Sequence, residues 1–128
     1  MMTEDRISMD EFEKMTSQAI REIPDDFLEA LENVDVFVEE EAGPEVLDEL
    51  GIRFPGDLLG LYQGVPRGEQ SAFNPPPILP HRIILFRRPI LRICRNRREV
   101  IEQIKKTLVH EVAHHFGFSD DRLRELGY

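Results

Sequence analysis

Residues 97–120 read Arg-Arg-Glu-Val-Ile-Glu-Gln-Ile-Lys-Lys-Thr-Leu-Val-His-Glu-Val-Ala-His-His-Phe-Gly-Phe-Ser-Asp. Val100, Ile101, Ile104, Leu108 and Val112 recur at helical spacing, and the first four line one apolar stripe. Arg98, Glu99, Glu102, Lys105 and Lys106 fall largely on the other side, and Glu102 and Lys106 have the spacing of a favourable ion pair. No Pro or Gly interrupts the run before Gly117, which suits the left-handed backbone that ends helices. A helix over 97–116 follows.

Near its end stand His110, Glu111, Val112, Ala113 and His114, the pattern H-E-x-x-H. Positions i and i+4 lie almost above one another on a helix, so both imidazoles can reach one metal ion. Glu111 lies about 100° further round the helix, within reach of a water at that ion. Two His at this spacing alone are weak evidence. Glu in the second place makes the case for a zinc hydrolase stronger, and a long amphipathic helix around it makes it stronger again.

Two His need a third protein ligand if the fourth position is to hold water. A turn at Gly117 could bring the chain back under the ion, and Asp120 completes the string H-E-x-x-H-x-x-G-x-x-D. Metzincins carry His in that last place, and a carboxylate is also an acceptable zinc ligand. The same residues have a simpler reading. Ser119 suits a helix N-cap, with Asp120 and Asp121 as first-turn acids of a short helix through Leu126. On spacing alone both readings of Asp120 stand, with Asp121, a distant acid, another His or no third protein ligand as the alternatives. His115 is one residue off the metal face.

Three stretches together resemble the small bacterial zincin-like metallopeptidases, the minimal zincins. They are Gly60-Leu61-Tyr62-Gln63-Gly64-Val65-Pro66, Leu79-Pro80-His81-Arg82-Ile83-Ile84-Leu85-Phe86, and the string from His110 to Asp120. The resemblance spans roughly residues 8–128. It implies Zn²⁺ held by His110, His114 and Asp120, with Glu111 as general base in hydrolysis of a peptide or amide bond. The chain departs from the pattern at His81, where an acidic or polar residue is expected. It ends eight residues after Asp120, leaving no methionine turn of the metzincin kind.

Chain length fits one small core. The expected organisation is a flexible N-terminus over 1–7 and a single domain over 8–128. Ser8 or Asp10 caps a first helix with Phe12, Met15, Ala19 and Ile23 inward. Pro24 opens a second helix, with Phe27, Leu28 and Leu31 inward. Val34, Val36 and Val38 alternate with Asp35, Phe37 and Glu39 as a strand. A helical turn runs from Pro44 to Gly51, and strands follow at Leu58–Tyr62 and Arg82–Phe86. Residues 87–95 could continue the sheet, although Pro89 weakens that. The expected class is therefore α+β, a small mixed sheet packed against the motif helix. The proline-rich connection from Gly64 to Pro80 is long enough for a lid, a binding edge or a merely mobile loop. Tyr62 is a candidate hydrogen-bond donor to a developing oxyanion, against the commoner structural role of a buried tyrosine.

Charge is uneven. Residues 1–57 hold 18 acids against four Lys and Arg, while residues 58–128 hold 12 bases against seven acids. A basic strip can meet nucleic acid or an acidic partner. The net charge of −9 opposes nucleic acid, so the expectation is that the two halves neutralise one another in the fold. No apolar run approaches a membrane span, and the acidic, polar start is unlike a signal peptide. A lone cysteine, Cys94, fits a reducing, cytoplasmic setting and packing as a small hydrophobe. The expected partner is a peptide or protein substrate. Two alternatives remain: a zinc-binding protein that cuts nothing alone or needs an unknown protein partner, and a metal-free binding module.

Overall fold

A computed structural model describes residues 6–64 and 81–128. The chain runs α1 (Met9–Arg21), α2 (Asp25–Leu31), β1 (Val34–Glu39), α3 (Pro44–Leu50), a 3₁₀ turn (Pro55–Asp57), β2 (Gly60–Gln63), β3 (His81–Phe86), α4 (Arg87–Arg92), α5 (Arg97–Phe116) and α6 (Asp120–Glu125). The class is α+β. The central strand β3 pairs with β1 in parallel and with β2 antiparallel.

Successive residues of a strand face opposite sides of the sheet, and β3 uses both. Ile83 and Leu85 enter the main core with Phe12, Phe27, Ile104 and Leu108. Ile84 and Phe86 enter a smaller cluster with Ala42 and Leu47 beneath α3. The sheet is therefore covered on both faces, with α1, α2 and α5 on the larger core.

Local signals set the boundaries. Ser8 accepts the Glu11 N–H at 3.1 Å and starts α1. Asn96 does the same for Glu99 at 2.9 Å and starts α5. Gly51 and Gly117 adopt φ of 68° and 75° and stop α3 and α5. The apolar stripe Val100, Ile101, Ile104, Leu108 and Val112 is buried throughout.

Two expectations need correction. Residues 87–92 form α4 and do not extend the sheet. Pro89 falls in the first helical turn, where a backbone N–H has no intrahelical partner to lose. Burial of Ile90 and Leu91 on one side then favours a helix. Glu102 meets Arg98 and Lys105 in place of Lys106. Those two cations also meet Glu22 of α1, so one network ties the two helices.

The separated charges do neutralise one another. Glu11 pairs with Arg97, Glu40 with Arg87 and Arg88, and Asp26 with Arg122. Each contact joins the acidic first part of the chain to the basic second part. Ile7, inside the segment expected to be flexible, is fully buried. Of the long connection, residues 65–80 lie outside the described residues. Among the described residues no helix is long and apolar enough to cross a membrane.

Cys94 is buried as expected. Burial, aided by the Glu99 carboxylate, pushes its thiol up to about 11. The thiolate is the reactive form, so native protein at pH 8 should resist a disulfide reagent for hours and react promptly in denaturant. Fast labelling of the native protein would contradict this placement.

Candidate metal centre

The site is built at the C-terminal end of α5 and on the face of β2 and β3 that it covers. Gly60 permits the close crossing. A Cβ there would stand 2.6 Å from Thr107 Cγ2 of α5 and 3.3 Å from the Ile84 carbonyl. Only a residue without a side chain lets the helix lie this near the strand.

His110 and His114 share one exposed face of α5, four residues apart. Between them in sequence, Glu111 is half-buried. Burial raises its carboxyl above the usual range, opposed by His114 and by a hydrogen bond from the Tyr62 backbone N–H. The ladder explains that N–H. Phe86 donates to the Leu59 carbonyl at 2.9 Å, and the register pairs Leu61 with Ile84 and Tyr62 with Ile83. Antiparallel pairs alternate between bonded and non-bonded. Leu59 and Leu61 thus bond to β3, and Tyr62 turns its N–H away from β3, toward Glu111.

The turn after α5 takes the expected form. The Phe118 N–H returns to the Ala113 carbonyl at 3.2 Å, and the Phe118 ring packs 4.6 Å from Phe27. Ser119 then accepts the Arg122 N–H at 3.1 Å and caps α6, with Asp120 exposed in its first turn. Asp120 therefore stands as a first-turn acid of α6. Among the described residues, no three His, Cys, Asp or Glu side chains are gathered closely enough to hold an ion. The helical pair His110 and His114 is in place, and Asp120 does not converge on it.

Tyr62 is partly buried at the centre of a ring cluster. Its phenol stacks on His115, with centroids 3.9 Å apart and planes 15° apart. Phe116 meets it edge-on at 6.3 Å. Its hydroxyl lies 2.5 Å from His81 Nδ1. Burial raises the Tyr62 phenol and keeps it protonated at neutral pH. The sequence offered His81 only as a departure from pattern. Its alternation with Ile83 and Leu85 was the available sign that it faces α5.

The family model of the zincin-like metallopeptidases matches residues 31–128. The chain belongs to this family. The match takes in both strands of the site, the motif helix and the terminal turn. A solved structure of a conserved hypothetical protein from Thermo thermophilus is similar over 86% of this chain and 94% of that one, at 25% identity and a TM-score of 0.55. No curated protein matches.

Proposed function

We propose that this zincin-like protein is a zinc-dependent peptidase that hydrolyses a peptide or amide bond. One observation carries the reading. A single helix presents two exposed imidazoles on one face, with a half-buried carboxyl between them in sequence. Holding a metal for structure alone does not require such a carboxyl.

The donor set suits zinc, which takes imidazole and carboxylate ligands and in catalytic sites keeps one position open. His110 and His114 would hold the ion, and Asp120, the third ligand that the family resemblance implies, stands apart from them in this structure. Bound there, zinc would supply a water that ionises near neutral pH and a charge that polarises a carbonyl. Glu111 accepts the proton of the attacking water and returns it to the leaving amine. Its raised affinity for protons brings it nearer the range a general base needs. Tyr62 stands beside Glu111, as a group near the reacting carbonyl should. The buried, single thiol of Cys94 supports a cytoplasmic setting.

Elemental analysis of the untagged protein and of His110→Ala tests the site. About one zinc per chain is expected in the first and a large loss in the second. No metal in the native protein, and none taken up from added zinc, would refute the reading. The separation of Asp120 from the helical pair favours a second reading, in which the protein binds zinc and works only with a protein partner. That version predicts bound zinc without turnover until the partner is supplied.

A further inference from the structure

Tyr62 and His81 sit on the same face of the sheet, as diagonal neighbours across β2 and β3. The register pairs Gln63 with Arg82, and its continuation sets Gly64 opposite His81. Diagonal positions are close enough for aromatic side chains to meet. Gly64 makes room for the meeting. A Cβ there would stand 2.5 Å from His81 Nδ1 and 3.2 Å from Tyr62 Cε1. With that space open, the phenol oxygen and Nδ1 approach to 2.5 Å.

The direction of this hydrogen bond decides which group has a proton left to donate. A phenol has one proton, and its oxygen lone pairs are partly delocalised into the ring. A neutral imidazole nitrogen is the better acceptor. Where His81 is a neutral imidazole with Nδ1 unprotonated, Tyr62 donates to Nδ1. A neutral imidazole that accepts at Nδ1 carries its proton at Nε2. The phenol expected to meet an oxyanion then has its proton committed, and the donor left to the pair is His81 Nε2–H, which meets no acceptor among the described residues.

We propose that His81, oriented by Tyr62, is the hydrogen-bond donor to the oxyanion that develops during hydrolysis. Tyr62 is then a positioning residue. Two links suit it to that role: its ring stacks on His115, and its hydroxyl meets His81 Nδ1. The proposal rests on the peptidase reading above and assigns to His81 the role first expected of Tyr62.

Two measurements test it, and they fail separately. In ¹⁵N NMR of histidine-labelled protein at pH 8, the His81 signals, assigned by their loss in His81→Gln, should show protonated Nε2 and unprotonated Nδ1. Tyr62→Phe should shift that balance. An Nδ1–H tautomer in the native protein would overturn the pairing without reference to activity. The second measurement is cleavage of a randomised fluorogenic peptide pool by the zinc-loaded protein. Loss of one oxyanion donor costs about 10²–10³ in kcat. His81→Ala should fall by that much with KM little changed. His81→Gln, which carries an amide N–H near the Nε2 position, should recover part of it, and His81→Asn should not. Tyr62→Phe should cost less than His81→Ala. A larger loss in Tyr62→Phe would make the phenol the donor and overturn the proposal. Zinc-loaded native protein that cleaves nothing would overturn the peptidase reading and the donor role together, while the tautomer would still report on the pair.

Discussion

Glu111→Gln should abolish peptide turnover while zinc stays bound. General-base assistance contributes about 10²–10⁴ in rate, and the amide cannot take a proton from water. The ligands His110 and His114 are untouched, so metal content should remain at the native level. The change should also be tolerated by the fold. In the metal-free protein, burial raises the Glu111 carboxyl. A folded-state value above the unfolded one means that the folded chain holds its proton more tightly. Stability then falls as pH rises through that window and does not recover at neutral pH. The neutral amide lacks this penalty, so the metal-free variant should be at least as stable at pH 7 as the metal-free native protein. Activity close to native in a correctly folded, zinc-loaded Glu111→Gln would remove the assigned role.

The largest expected effect on stability lies far from the site. Arg87 begins α4 with its side chain only 9% exposed. Its Nε and Nη2 donate to the Ile7 carbonyl at 3.0 and 2.7 Å. Its Nη1 meets Glu40 at 2.7 Å, and the Arg88 backbone N–H bonds the Glu40 carbonyl at 3.0 Å. One guanidinium therefore joins the start of the chain, the segment after β1 and the start of α4. Arg87→Ala would leave the Ile7 carbonyl without these donors and open space beneath it. The expected loss is about 2–4 kcal/mol, read from the midpoint of urea unfolding. That is a large part of the roughly 5–15 kcal/mol typical of a small domain. Arg87→Lys should recover little, because a single ammonium lacks the planar fork. Glu40→Gln should cost less, since Glu40 is 40% exposed. A loss below about 0.5 kcal/mol in Arg87→Ala would show that the guanidinium holds nothing together.

The motif helix and its end are legible in the sequence because local rules act without competition there. Asn96, the apolar stripe and Gly117 specify start, buried face and stop within one segment. The alternation in β1 and the caps at Ser8 and Ser119 are likewise local. α4 is not legible, because two arginines and a proline between Phe86 and Ile90 leave too few apolar positions to decide the period. Its outcome depends on where Pro89 falls relative to a helix start that only the neighbouring strand fixes. The pairing of Glu102 is hidden for a different reason. The Glu22 side chain, remote in sequence, draws Arg98 and Lys105 into one place.

The site divides in the same way. The sequence by itself determined that His110 and His114 share a face, since 3.6 residues per turn allows nothing else in a helix. It also determined that the helix stops at Gly117. The tertiary structure decided what surrounds them. The 19-residue separation of Tyr62 and His81 carries no local signal, and their contact exists because β2 and β3 pair in one register with Gly64 leaving space. The same register turns the Tyr62 N–H toward Glu111. Periodicity within a segment follows from backbone geometry alone. Contacts between segments follow from strand register and the closeness of packing, which depend on the whole chain at once.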